Sequence, residues 1–240
     1  MSRPELDAVL AVQSVDSEID ALTHRRAALP ERTELERVLR EGKSAHGQLT
    51  GLRAERDALS RAVKALDDQT QTIAAKAKSV DEKLYSGTVT SPRELQDLQA
   101  DLDSLRHHQR ELEDRELEQM DSAERLDREV SAAETQLATM GRSVEALRTA
   151  IGQAESEIDA RIAELTASRG DQTSAVPAAL LTDYERRRTQ NRGVGAAALV
   201  GDTCQGCRLT VPATEVDEIH HDTTGRIFAC DNCGAILVPR

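Results

Sequence analysis

Four cysteines, Cys204, Cys207, Cys230 and Cys233, are the residues of this 240-residue chain best suited to chemistry, and it contains no others. They form two C-x-x-C pairs near the C-terminus. A C-x-x-C turn brings two thiolates close enough to share one metal ion, and a second turn completes a tetrahedron. Gly206 inside the first turn and Gly234 just after the second allow the backbone to curl so that its amides point at sulfur. Two redox C-x-x-C motifs would call for a βαβ pattern, which is absent. Disulfides suit an oxidising compartment, and the N-terminal stretch shows no secretory pattern. Iron on four thiolates is chemically possible. Phe228 is the only aromatic after Tyr184, so the protected aromatic pocket expected around a redox iron is missing, and zinc is favoured. Four protein sulfurs leave no open position for water or substrate, so the expected Zn2+ is structural. His220 and His221 could exchange in as ligands, but the sequence places them as exposed residues near the end of a short helix.

The elements that must carry this site follow from periodicity. From Leu35 to Leu84 the apolar residues step by threes and fours: Leu35, Val38, Ala45, Leu49, Leu52, Leu59 and so on to Leu84. A second stripe runs from Leu95 to Leu165. Both are heptad seams. The second seam has polar slots at Gln109, Glu116 and Gln119, which mark local looseness, and Arg56 of the first seam could neutralise Glu116. Upstream, Val12, Val15, Ile19, Leu22 and Leu29 keep the spacing in a shifted phase. The shift falls at Pro30, where a kink or short break is expected in a helix that begins near Pro4.

Between the seams, Gly87 can close the first helix in the left-handed conformation. Ser91, Pro92 and Glu94 read as N-cap, first helical position and capping box of the second. A connection this short makes the two helices antiparallel neighbours. The second helix is expected to end near Ser168 with Gly170 as its cap. Gly170–Val176 would let the angle between helices and ribbon vary. Pro177 opens a short helix containing Tyr184, followed by a strand over Val194–Val200. Arg208–Val211 leaves the first cysteine turn, Pro212–His221 is a short helix or loop, and strands over Arg226–Cys230 and Ala235–Val238 flank the second turn. The expected fold is therefore mostly α: a long antiparallel two-helix coiled-coil hairpin with a small C-terminal β zinc ribbon. Residues 1–170 are the hairpin with its tip at 85–93, 171–192 a linker and short helix, and 193–240 the ribbon. The seams leave the chain free to be a monomer or a dimer.

Composition narrows the function. Charged residues make up 31% of the chain, aromatics 1%, and the formal charge is −12. That balance disfavours a general nucleic-acid binder, which needs a basic surface. No stretch approaches the roughly eighteen apolar residues of a membrane span, and a cytoplasmic location is expected. No P-loop, nucleotide fingerprint or nucleophile elbow is present, so no enzymatic activity is expected. Candidate contacts are Tyr85 and Val89 at the tip, which either meet a partner or merely close the hairpin. The cluster Arg186, Arg187, Arg188 and Arg192 either complements a helix dipole or meets an anion such as RNA.

The combination resembles the bacterial C4-type zinc-ribbon family, whose members carry a long antiparallel helical hairpin before the ribbon. The likeness lies in Leu84-Tyr-Ser-Gly-Thr-Val and Ser91-Pro-Arg-Glu-Leu-Gln at the tip, in Tyr184-Glu-Arg, and in the knuckles ending Cys230-Asp-Asn-Cys-Gly-Ala-Ile-Leu. The family often has Arg where Ala235 stands. The resemblance implies an adaptor or regulatory role toward protein partners, with relatives linked to alternative sigma factors, RNA, and flagellar or secretion machinery. A zinc-binding adaptor is the first expectation, and a nucleic-acid-binding regulator of transcription or gene expression the alternative.

Overall fold

The structure, a computed structural model, describes residues 2–222 and 224–240. Its elements in chain order are α1 (Arg3–Ala27), α2 (Pro30–Tyr85), α3 (Pro92–Thr173), α4 (Ala178–Gln190), β1 (Ala196–Val200), β2 (Thr203–Cys204), α5 (Ala213–His221) and β3 (Ile236–Pro239). The architecture is a long antiparallel coiled-coil hairpin with a small C-terminal sheet. No described helix is long and apolar enough to cross a membrane. The chain forms two compact units, Glu34–Ala146 and the combination of Met1–Thr33 with Leu147–Arg240.

In the first unit the heptad stripes are the buried face. None of the apolar seam residues from Leu35 to Leu84 is exposed, and the same holds along α3. Leu102 and Leu112 are 1% and 2% exposed. The partners run in opposite directions: Arg106 meets Asp81 at 2.9 Å, Arg56 meets Asp127 at 3.6 Å and Arg53 meets Glu134 at 2.6 Å. Arg56 therefore faces Asp127 and its neighbour Asp57, not Glu116. Close to the polar slots, Leu117 and Met120 lie exposed at 62% and 45%.

At the tip, α2 ends at Tyr85 and Gly87 takes a φ of +72°. The Ser86 hydroxyl donates to the Lys83 carbonyl at 2.8 Å, satisfying one orphan carbonyl of the helix end. The Leu95 amide then donates to the Ser91 carbonyl at 3.0 Å, which begins α3 at Pro92.

In the second unit α1 is separate from α2, because Pro30 lacks an amide hydrogen and the chain leaves helical geometry at Ala28 and Leu29. Antiparallel pairing continues here, with Arg32 bonded to Glu155, Arg26 to Asp159 at 2.8 Å and Arg161 to Glu18 at 2.9 Å. One expectation fails. α3 continues through Gly170 to Thr173 and does not end at Ser168. The Gly170 carbonyl accepts the hydroxyls of Thr173 and Ser174 at 2.9 and 3.1 Å, and three tight turns then close the chain onto Pro177. The segment read as a variable linker is mostly helix.

The sheet has the order β2-β1-β3, with β1 antiparallel to β2 and parallel to β3. Arg226–Cys230 and Arg208–Val211 are not full strands and contribute single bridges, Ala229 to Ile236 and Thr210 to Thr203. Alternation along the strands sorts side chains to two faces. Ala197, Leu199 and Leu237 join the cysteines, Val211 and Ile219 in one core. Ala196 and Ile236 face the other way, onto Val9 and Val12 of α1 and Leu180 and Tyr184 of α4. The ribbon thus shares a core with α1.

Truncating a seam leucine should separate buried from exposed positions. Leu102→Ala is expected to cost about 2–4 kcal/mol, and Leu117→Ala less than about 0.5 kcal/mol. Urea denaturation followed by helix circular dichroism would measure both, and equal losses would contradict the assigned seam.

Candidate metal centre

The two cysteine turns are built alike. In the first, the Arg208 amide donates to the Cys204 carbonyl at 2.7 Å and the Cys204 amide to the Leu209 carbonyl at 3.1 Å. In the second, Gly234 donates to Cys230 at 2.7 Å and Cys230 to Ala235 at 2.9 Å. Each turn closes through a left-handed residue, Arg208 at φ +60° and Gly234 at φ +71°. This conformation is natural for glycine and strained for arginine.

Closing the backbone this way turns amides toward sulfur. The Cys204 sulfur accepts from the amides of Cys207 and Gly206, the Cys207 sulfur from Leu209 and the Cys233 sulfur from Ala235. These amides partly replace the water that thiolates lose. Burial nevertheless pushes the Cys204 thiol up, and that of Cys233 up to about 12, while the Leu209 amide pulls Cys207 down. Without a cation, four crowded thiolates of this kind would not ionise together; a bound metal holds them deprotonated.

The geometry fits zinc. All four sulfurs lie within 4.8 Å of one another. Cys204 and Cys233 are 3.9 Å apart at sulfur, and Cys207 and Cys230 are 3.8 Å apart. A tetrahedron with Zn–S bonds of about 2.3 Å has edges of about 3.8 Å. The four cysteines are the only such ligand group among the described residues. His220 and His221 are exposed on α5 and stand outside it. The zinc is structural, held by four protein sulfurs.

A buried polar network seats this ribbon on the helices. Gln13 of α1 is 6% exposed; its side-chain oxygen accepts the amides of Gly195 and Ala196 at 2.6 and 3.1 Å, and its nitrogen donates to the Gly193 carbonyl at 2.9 Å. Asp16 is 3% exposed. It accepts the Arg169 guanidinium at 2.6 Å and the Tyr184 hydroxyl at 2.7 Å, with Arg188 at 3.5 Å. Burial raises the Asp16 carboxyl, but these donors outweigh it and its pKa lies below the ordinary aspartate value. Burial and the same bond raise the Tyr184 hydroxyl. The Tyr184 ring requires Gly195, where an added Cβ would lie 2.6 Å from it.

The predicted arginine cluster divides. Arg187 donates to Asp183 at 2.8 Å and to the Gly234 carbonyl at 2.7 Å, and Arg188 donates to Asp20 at 2.6 Å. Both point into the protein. Arg186 pairs with Asp183 on the exposed side of α4, and Arg192 is exposed in a left-handed turn at φ +53°. Asp183 lies below its ordinary pKa, because the two arginines outweigh its burial. At the tip, Tyr85 is 76% exposed and Val89 half-buried. Sequence reasoning missed Gln13 and Asp16. The available signal was Val9, Val12 and Asp16 on one helical face, offset from the Val15–Ile19–Leu22 stripe.

Comparison with known proteins agrees with this geometry. Residues 12–192 match the model of the CT398-like coiled coil hairpin domain, and residues 203–237 that of the C4-type zinc ribbon domain. An uncharacterized Mycobacterium tuberculosis protein is 29% identical over 231 residues, covering 96% of this chain and 94% of its own. A solved Mycobacterium smegmatis structure superimposes with a TM-score of 0.82 at 22% identity, covering 100% of this chain and 99% of the other. CT398 from Chlamydia trachomatis does so with a TM-score of 0.67 at 16% identity, covering 98% of each chain.

Two stability measurements follow. Arg208→Gly should stabilise the zinc-loaded ribbon by about 1 kcal/mol, because it removes left-handed strain. Gly234→Ala should destabilise it, since the new Cβ would also sit 3.0 Å from Asn191; a lower melting temperature for Arg208→Gly or a higher one for Gly234→Ala would contradict the assigned turns. For Asp16, a folded pKa below the unfolded one means its contribution is complete above about pH 4 and is lost as pH falls through the folded value. Asp16→Asn should cost about 3 kcal/mol at neutral pH and flatten this acid dependence. Urea titrations of both proteins between pH 3 and 7 would check it.

Proposed function

Because the chain belongs to the family of CT398-like coiled coil hairpin domains and carries a C4-type zinc ribbon, we propose that it is a non-enzymatic adaptor that presents a zinc-shaped head and a coiled-coil arm to protein partners. The observation that carries this reading is the closed zinc centre. All four coordination positions belong to protein sulfurs, so the metal shapes a surface and has no vacancy in which to activate water or substrate. The ion supplements the small core of Ala197, Leu199, Val211, Ile219 and Leu237, which so short a ribbon cannot enlarge alone. The seam leucines are likewise taken up in holding the helices together. What remains for recognition is surface, with Tyr85 exposed at 76% on the tip.

Charge supports a protein partner over a nucleic acid. The chain carries −12 overall, and Arg187 and Arg188 donate to groups of the protein itself. In the ribbon, Arg208, Arg226 and Arg240 stand against Asp202, Glu215, Asp217, Glu218, Asp222 and Asp231. Four thiolates on Zn2+ add a further net −2.

In-cell crosslinking followed by purification would test the adaptor reading, with protein and RNA recovered from the same sample. The parent is expected to crosslink a defined protein that rebinds when both are purified. Loss of that protein from a Cys204→Ala, Cys207→Ala double variant would place its contact on the ribbon. About tenfold weaker rebinding by Tyr85→Ala would place it on the tip. RNA recovered without protein, or no defined crosslink, would overturn the reading.

A further inference from the structure

The two cysteine turns share one backbone design but differ in their surroundings. The left-handed residue of the first, Arg208, is exposed. That of the second, Gly234, is half-buried beside the C-terminal end of α4. Its carbonyl accepts Nη1 of Arg187 at 2.7 Å, and its α-carbon faces the Asn191 amide. Arg187 is held on its other side by Asp183, with both side chains largely covered at 20% and 23% exposure. Among the described residues it is the only charged side chain hydrogen-bonded to either cysteine turn.

Its position is electrostatically apt. The C-terminus of α4 carries partial negative charge, and a zinc with four thiolates carries net −2. These two would repel at close approach, and from the last helical turn the Arg187 guanidinium reaches the carbonyl of the second cysteine turn. The Gly234 amide closes the turn on Cys230, and Gly234 directly follows Cys233, so the carbonyl held by Arg187 belongs to the loop that places two of the four ligands. One turn before Arg187 and on the same side of α4, Tyr184 donates to Asp16, which fixes the helix against α1.

We infer that Arg187 is a positioning residue for the zinc: it holds the second cysteine turn closed and couples zinc retention to the docking of α4. Coupling of this kind is reciprocal, so zinc loss must weaken α4 docking by the same factor by which undocking α4 weakens zinc affinity. The chain supplies its own reporter. It has two tyrosines and no tryptophan. In a Tyr85→Phe background, emission comes from Tyr184 alone, which is fully buried and hydrogen-bonded to a carboxylate.

The test follows zinc release into a chromogenic chelator and Tyr184 emission on the full-length, zinc-loaded chain. Tyr184 emission is expected to change with the same time course as zinc release. Arg187→Ala, which opens the second turn more often by the worth of one hydrogen bond, should release zinc about fivefold faster, Arg187→Lys at an intermediate rate, and Arg186→Ala at the parent rate. Leu102→Ala, which removes buried volume from the hairpin unit that contains neither α4 nor the ribbon, should lower the melting temperature and leave the release rate at 25 °C unchanged. If Arg187→Ala does not fold, Arg187→Lys alone decides: faster release supports the coupling and the parent rate overturns it. Release from Arg187→Ala at the parent rate, equal acceleration by Leu102→Ala, or Tyr184 emission indifferent to zinc loss would each overturn the inference.

Discussion

Four sulfurs within 4.8 Å of one another set the terms for the C-terminal part of this molecule. As thiols they pack as small apolar groups, and as thiolates they repel. A dication resolves the conflict, but only if the backbone brings two distant chain segments to one point. The paired turns do this with local hydrogen bonds, and the strands carry the turns. β1 leads through a tight turn into β2 and Cys204, and β3 leaves directly after Cys233, parallel to β1. The metal thus closes a sheet whose outer strands come from opposite ends of the ribbon sequence.

A three-stranded sheet has two faces, and the cysteines with Val211 and Ile219 cover one. The second face, with Ala196 and Ile236, would meet water if the ribbon stood alone. Here α1 and α4 cover it. Covering it buries polar groups as well, and the two most buried are engaged: Gln13 answers the amides of Gly195 and Ala196, and Asp16 gathers Arg169 and Tyr184. Such groups add less stability than specificity of fit, since leaving any one unpaired is costly. They make the seat of the ribbon a particular one. Pro30 has a part in this, because the break it imposes frees α1 from the long α2.

What could be read from residues alone divides along the range of the interactions. The metal site was legible because ligand type and spacing encode the chemistry directly. The hairpin was legible because every apolar seam residue repeats at the heptad interval, and Gly87 and Pro92 mark the turn. The parallel pairing of β1 with β3 has no local signature; Ala196–Val200 and Ile236–Pro239 are far apart in sequence and short. The end of α3 was misread for a related reason. Gly170 is a natural cap, but the hydroxyls of Thr173 and Ser174 bond back to its carbonyl and carry the helix onward. Gln13 and Asp16 looked like ordinary polar positions of a surface helix, since only the tertiary partners explain their burial.

The arginines show how net charge constrains such readings. Three consecutive arginines look like a surface for an anion, yet the chain is acidic and its anions are close at hand. Asp16, Asp20 and Asp183 lie within reach of α4 and take up Arg186, Arg187 and Arg188. A guanidinium that already holds a carboxylate or a buried carbonyl must break that bond before it can hold a phosphate, so the affinity it could offer is reduced by the interaction it gives up. The same arithmetic explains why the cluster belongs at the join between helix and ribbon. In a chain of this charge, the arginines contribute most where they offset the electron-rich ends of a helix and of a cysteine turn, and that is where α4 places Arg187.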